Sequence, residues 1–417
     1  MKELKNEFKT GLDVLLADKF LQQKLTSGNK KIALLGHPAS VNQNLQHSLD
    51  ALFAKNIELS AAFGPQHGIF GDKQDNMMET QNFIDPKYKI PVFSLYGETR
   101  RLSAEMLDSF DILLVDLQDL GCRIYTFLTT LCYILQDCNQ RTNKEVWILE
   151  RPNPAGRIIE GMKLQSGWES FVGVDESLPM RHGLTLGEIA LWYQQKYNLY
   201  SLKLEIVKMQ NYQPKQSPYF GWVNRSWVNP SPNAASLNMA RAYAGTVLLE
   251  GTNLSEGRGT TRPLECVAAP NLDVDAILQK MQQLNSQNKI DWLGGCDLRK
   301  CCFEPTFHKF KGEFCSGIFI HADNPLSYNH NKFKPYRLIC LFLKALKLTH
   351  SQFEIWRDTN FAYEYEIGKY AIDVINGSQR LREWVENNEA TLADFDEIVT
   401  KEEQQWQEES KNFLLYY

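Results

Sequence analysis

The chain has 417 residues, 43% of them hydrophobic, 12% aromatic and 23% charged, with 45 Lys and Arg against 50 Asp and Glu for a net charge of −5. That balance excludes intrinsic disorder and argues against a nucleic-acid partner, which calls for a basic face. The length exceeds what one core usually supports and predicts two domains.

The first ten residues interleave charges, and no apolar run of export-signal length follows. No run approaches the roughly 20 apolar residues that span a bilayer. A cytoplasmic location without membrane contact is therefore expected. Lys31–Gly36 reads as a buried strand, residues 45–53 as a helix, and Ile57–Phe63, Pro91–Tyr96 and Asp111–Asp116 as further strands. Ile124, Phe127, Leu128, Leu131, Cys132 and Leu135 recur at helical spacing. Val146–Leu149 is a fifth strand, Thr185–Tyr197 a helix opened by a Thr185/Glu188 capping box, and Leu204–Lys208 a sixth strand. Continuous apolar strands alternating with amphipathic helices predict an α/β fold with a mostly parallel, Rossmann-like sheet. The first strand is followed by Gly36-His-Pro-Ala-Ser40, not a dinucleotide fingerprint.

After about residue 260 the alternation is lost, with mixed pieces at 303–322, 336–346 and 360–370 and a Glu- and Gln-rich amphipathic helix expected over 381–417. These features predict a Rossmann-like domain at 1–263 and a smaller α+β domain at 264–417. Nine cysteines are present. Cys296, Cys301, Cys302 and Cys315 cluster with His308 and His321, but no paired C-x-x-C spacing occurs, so free thiols are expected rather than a metal site.

Ligands in open parallel sheets bind beyond the carboxyl ends of the strands, and unusual polar clusters fall there. Gly64-Pro-Gln-His-Gly68 presents Gln66 and His67, the latter an acid, base or hydrogen-bond donor, or else a turn histidine held by a backbone carbonyl. Downstream, Asp72, Asp75 and Glu79 suit a rim. Residues 116–125 bring Asp116, Asp119, Arg123 and Tyr125, with Gly121 allowing a tight turn. These groups suit acid–base work and anion recognition, or an Asp–Arg pair that fixes the loop. Arg151-Pro-Asn-Pro154 presents Arg151 and Asn153, and His182 precedes a helix. Residues 227–262 add Asn233, Glu250, Thr252, Asn253, Ser255, Glu256 and Arg258 in a Gly-rich setting that suits sugar hydroxyls or an anion, or an interdomain hinge.

These motifs, in this order, resemble the bacterial exo-β-N-acetylmuramidases, long catalogued as a domain of unknown function. The resemblance rests on Phe63-Gly-Pro-Gln-His-Gly68, Tyr96-Gly97, residues 116–126, Arg151-Pro-Asn-Pro154, Phe171-Val-Gly173, Arg181-His-Gly183, Pro230-Ser-Pro-Asn233 and residues 250–260. It implies a glycoside hydrolase that removes N-acetylmuramic acid from the non-reducing end of peptidoglycan fragments, with a cleft between two domains and no metal or organic cofactor. The family pattern carries a Glu, the expected catalytic acid, where this chain has Gln66.

A Gln amide cannot donate a proton as a carboxylic acid does, which leaves three readings. The acid is another carboxylate, with Asp116, Asp119, Asp72 and Glu256 as candidates; or Gln66 binds a different substrate; or the chain binds muropeptides without cleaving them. Glycoside hydrolysis usually needs two carboxylates. A 2-acetamido sugar relaxes this, because its own amide oxygen attacks the anomeric carbon. The expected catalytic set is Asp116, Asp119, Tyr125, His67 and Glu256. The expected binding set is Gln66, Arg123, Arg151, Asn153, His182, Asn233, Thr252, Asn253, Ser255 and Arg258. Among these, Arg123, Arg151 and Arg258 are candidates for the lactyl carboxylate, and Tyr96 and Trp227 for stacking on the sugar. A transferase acting on an activated sugar is the remaining enzyme class and lacks phosphate fingerprints.

Overall fold

The computed structural model describes residues 7–74, 77–216, 220–223 and 225–417. The first part of the chain forms α1 (Gly11–Ala17), α2 (Lys19–Thr26), β1 (Ile32–Leu35), α3 (Ser48–Phe53), β2 (Ala61–Gly64), β3 (Phe83–Ile84), β4 (Pro91–Ser94) and α4 (Ala104–Asp108). Then come β5 (Ile112–Val115), α5 (Phe127–Asn139), β6 (Glu145–Leu149), β7 (Glu160–Lys163), β8 (Pro179–Arg181), α6 (Leu186–Lys196) and β9 (Lys203–Val207). The remainder forms α7 (Leu237–Thr246), β10 (Cys266–Ala269), α8 (Val274–Gln287), β11 (Asp297–Phe303), β12 (Cys315–His321), α9 (Pro335–Thr349), α10 (Ala371–Asn376), α11 (Arg380–Glu386) and α12 (Leu392–Ser410).

The main sheet has the order β3-β4-β2-β1-β5-β6-β9 and is parallel except for edge strand β3. All six expected strands are in it. β1 and β5 are buried along their whole length, as strands covered on both faces require. The Thr185/Glu188 capping box opens α6. The chain runs from β1 outward through β2 and β4, then returns to the other side at β5, so the switch point lies between β1 and β5.

The later part is α+β, with the antiparallel sheet β10-β12-β11. Of the mixed pieces, 303–322 holds β12 and 336–346 lies within α9, whereas 360–370 is turns with one bridge between Tyr363 and Glu366. The single helix expected over 381–417 is two, α11 and α12. The hairpin of β7 and β8 was not legible, since Glu160-Gly-Met-Lys163 shows no useful alternation.

Two apolar cores sandwich the sheet. One holds Leu34, Leu52, Ala62, Leu114 and Trp147 under α1–α3. The other runs without a break from Val115 and Leu131 through Tyr243 and Ile339 to Trp406, so the two sheets share one interior. On α12, Glu403 and Glu402 accept the backbone N–H groups of Gly161 and Lys163 at 2.9 and 2.8 Å, which satisfies an otherwise open strand edge. None of the nine cysteines is in a disulfide. Among the described residues, no group of three or more His, Cys, Asp and Glu side chains is gathered as a metal site, and no helix is long and apolar enough to cross a membrane.

Candidate active site

A small polar cleft, with a cavity volume of about 30 Å³, lies where the carboxyl ends of β2 and β5 face the second part of the chain. Gln66 and His67 come from the loop after β2, Tyr125 and Thr126 from the entry to α5, and Ser231 and Asn233 from the segment before α7. Tyr243 of α7, Glu250, Arg258, Tyr363 and Glu364 close the other side. The β2 loop must be this tight: a Cβ on Gly64 would sit 2.5 Å from the Ile69 nitrogen. His67 has a left-handed backbone and its Nδ1 lies 2.8 Å from the Lys73 carbonyl. Thr126 begins α5 without capping it and instead donates its hydroxyl to Gln66 Oε1 at 2.7 Å.

Glu364, not anticipated from the sequence, is the central carboxylate. It accepts from Gln66 Nε2 at 3.3 Å and from the Tyr96 hydroxyl at 2.8 Å. Burial pushes its carboxyl up to about 6, although the Tyr96 hydroxyl, the Arg100 charge and the Gln66 amide oppose the shift. Glu364 and Tyr365 both have positive φ, 47° and 70°. Backbone strain at consecutive non-glycine residues persists only where the surroundings impose it. Here Tyr363 donates to Glu250 at 2.7 Å, and the Tyr365 ring lies 4.1 Å from the Arg100 guanidinium. Glu250 also accepts from Arg258 at 2.5 Å. The one sequence signal for Glu364 was its place in an aromatic run, Phe361-Ala-Tyr-Glu-Tyr365, within a stretch without periodicity.

Gln66, His67, Tyr125, Asn233 and Arg258 of the expected set therefore share the cleft, and the others are placed elsewhere. Asp116 accepts two hydrogen bonds from Arg151 beneath the switch point. Asp119 accepts from the Gly121 nitrogen at 2.6 Å and lies 3.6 Å from His182, which is wholly buried. Arg123 spends its terminal nitrogens on the carbonyls of Met162, Leu178, Ile375 and Asn376, leaving none for a carboxylate ligand. Asn153 bonds to Leu184 and Ala155, Thr252 to Leu249, Asn253 to the carbonyls of Glu354 and Trp356, and Ser255 to the Gly257 nitrogen.

Glu256 has no exposure and is ringed by Lys309, Arg258 and His308 at 2.9, 3.1 and 3.6 Å. Tyr96 is buried beneath Glu364, and the half-buried Trp227 packs on Trp222, donates to Ala234 and does not line the cleft. Asp72 pairs with Lys73 in a neighbouring groove and Glu79 accepts from Tyr365; Asp75 lies outside the described residues. Many of the polar residues that follow the strands satisfy buried backbone groups or one another, the alternative reading that each motif also allowed.

Residues 32–238 match the family described as exo-beta-N-acetylmuramidase NamZ, N-terminal, and residues 241–416 match its C-terminal counterpart. The chain belongs to the NamZ exo-β-N-acetylmuramidase family. It is 33% identical over 414 residues to the peptidoglycan beta-N-acetylmuramidase NamZ of Bacillus subtilis strain 168, covering 99% of this chain and 92% of that protein. Among solved structures, a DUF1343 family protein of Bacteroides fragilis superposes with a TM-score of 0.82 at 27% identity, over 99% of this chain and 100% of the other. A second from the same species gives 0.70 at 22% identity, over 98% and 99%; it speaks to the fold alone. Within the NamZ family fold, the cleft holding Gln66 and Glu364 spans both matched regions.

Proposed function

We propose that the chain is an exo-acting glycoside hydrolase that releases N-acetylmuramic acid from the non-reducing end of peptidoglycan fragments. The observation that carries this reading is one cleft, in a NamZ family fold, that joins two buried carboxylates, Glu250 and Glu364, with phenols and amides. That inventory suits glycoside cleavage. The sugar's own acetamide oxygen can meet the anomeric carbon, with the Tyr125 phenol on the cleft wall suited to orient the amide, while Asn233 exchanges hydrogen bonds with Gln74. Arg258 is the cleft guanidinium; it pairs with Glu250 and Glu256, and its Nη1 has no hydrogen-bond partner among the described residues, so that nitrogen suits the lactyl carboxylate. Nine free thiols, one of them exposed at Cys302, favour a reducing cytoplasm and the recycling of wall fragments there.

Gln66, an amide on the cleft wall, favours one other reading, a muropeptide-binding protein without turnover. Incubation with a chromogenic N-acetyl-β-muramide and with the β-linked N-acetylmuramyl-N-acetylglucosamine disaccharide separates the two. Release of N-acetylmuramic acid from either supports the hydrolase. Thermal stabilisation by N-acetylmuramic acid with both substrates left intact supports the binder.

A further inference from the structure

We infer that Glu364 is the catalytic residue that protonates the departing glycosidic oxygen, with the Gln66 amide and the Tyr96 hydroxyl as its positioning residues. The inference rests on the hydrolase reading and identifies the acid within it. Several carboxylates sit near the cleft, and their contacts separate them. Glu250 gives one oxygen to the Arg258 guanidinium and the other to the Tyr363 phenol. Glu256 is enclosed by three basic side chains and does not line the cleft. Asp116 and Asp119 are tied to Arg151 and to the turn at Gly121. Glu364 lines the cleft and, among the described residues, has no cation within ion-pair distance and is held by the neutral Gln66 and Tyr96.

Those neutral groups suit a carboxyl that must cycle between two protonation states. Oε2 is fixed by Tyr96 at 2.8 Å, whereas among the described residues Oε1 has the long 3.3 Å contact from Gln66 alone, which makes Oε1 the oxygen suited to deliver a proton. A Gln side chain presents either NH₂ or C=O after a half-turn of its amide, and a Thr hydroxyl both donates and accepts. With Glu364 ionised, Gln66 donates to it and accepts from Thr126. With Glu364 protonated, the amide reverses, accepting from Glu364 and donating to Thr126. Reversal of the Gln66 amide thus keeps the hydrogen bonds between Glu364 and Gln66 and between Gln66 and Thr126 in both states. Arg100 lies over the rings of Tyr96 and Tyr365 at 4.8 and 4.1 Å, and its charge steadies the carboxylate formed once the proton has left.

In the step assigned to it, the Glu364 O–H bond breaks as its proton passes to the glycosidic oxygen. The C1–O bond breaks with its electron pair going to that oxygen, and the aglycone leaves as an alcohol. As the aglycone departs, the sugar's acetamide oxygen forms a bond to C1 and gives an oxazolinium. Water then forms the new C1–O bond as the bond from C1 to the acetamide oxygen breaks, its electron pair returning to the restored acetamide, and the proton lost by the water goes to the Glu364 carboxylate. The carboxyl held near 6 is half protonated near pH 6 and keeps a protonated fraction toward neutrality, as a general acid needs.

The test compares Glu364→Gln with wild type on the disaccharide, whose sugar leaving group needs a proton, and on the aryl muramide, whose leaving group needs one far less. Loss of about 10²-fold or more in kcat on the disaccharide, a much smaller loss on the aryl glycoside, and disappearance of the alkaline limb from the pH profile are expected. Unchanged binding of N-acetylmuramic acid by thermal shift shows that Glu364→Gln is folded. Should it fail to fold, Tyr96→Phe serves: losing a hydrogen bond to the carboxylate moves the alkaline limb upward. Wild-type cleavage with disaccharide turnover by Glu364→Gln within threefold, or with an unmoved limb in Tyr96→Phe, overturns the assignment while the hydrolase reading stands. Loss of the limb in Glu250→Gln instead transfers the role to Glu250. Cleavage of neither substrate by wild type overturns the hydrolase reading and the assignment with it.

Discussion

Arg151 holds Asp116 through both carboxylate oxygens, Nε to Oδ1 at 2.6 Å and Nη2 to Oδ2 at 2.9 Å, with side-chain exposures of 4% and 0%. The same guanidinium reaches the Val41 carbonyl, and the Asp116 carbonyl accepts the Ser40 hydroxyl. The pair therefore locks the loops after β1, β5 and β6 together beneath the cleft. Removing one partner leaves a buried charge without its counter-charge, at a cost of about 3–5 kcal/mol. Asp116→Ala should unfold at correspondingly lower denaturant, while a more conservative Asp116→Asn that still folds should keep its kcat. A large fall in kcat with unchanged unfolding midpoint would return Asp116 to the catalytic set.

Glu256 ties the other side of the cleft to the pH of the solution. Burial alone would raise its carboxyl, but Lys309, Arg258 and His308 outweigh that and hold it down to about 2. A carboxyl depressed on folding contributes stability above its unfolded value near 4.5, and that contribution fades as pH falls toward 2. The expected size is about 3 kcal/mol. Unfolding free energy measured from pH 6 to pH 3 should decline, and the decline should be visibly shallower in Glu256→Gln. Parallel curves for the two proteins would show that the cations around Glu256 do not act on its charge.

The main sheet was legible because its strands are buried on both faces and so read as unbroken apolar runs, Ile32–Leu35 and Ile112–Val115 above all. The β7–β8 hairpin was not, because its outer N–H groups are satisfied by carboxylates on α12 more than two hundred residues away. The cleft was half legible. Gln66 and Tyr125 follow directly on strands or enter a helix, a local signal. Glu364 reaches the same place from a loop nearly 300 residues beyond Gln66, without periodicity or flanking glycine to mark it. Arg123 shows the converse: a charged residue in a conspicuous motif whose guanidinium faces backbone carbonyls.

Glu364 should cost stability where it is ionised. Its carboxyl is raised on folding to about 6, so the folded state holds the proton more tightly than the unfolded chain. The sign is opposite to that of Glu256: stability falls as pH rises from about 4.5 through 6. Glu364→Gln removes the charge while keeping the shape, and should gain about 2 kcal/mol over wild type at pH 8, with no gain at pH 4. Chemical denaturation at the two pH values checks this, and equal stability at both would mean that the buried carboxylate is solvated after all.

Gln66→Glu places a second carboxyl within hydrogen-bond reach of the first, since Gln66 Nε2 lies 3.3 Å from Glu364 Oε1. Two carboxyls at that distance in a buried site resist double ionisation, so they share a proton and titrate as a pair with split values. The upper member of the pair should lie roughly one unit or more above the value near 6 at which Glu364 now sits. The proton needed by the leaving group is then retained to higher pH. On the disaccharide, the alkaline limb of kcat/KM should therefore move upward by that amount, while the aryl muramide is cleaved with little change. Thr126 can donate to either side chain at position 66, so the loop after β2 keeps its anchor and the shift reports charge rather than distortion. An unmoved limb in Gln66→Glu would place the titrating group away from this pair.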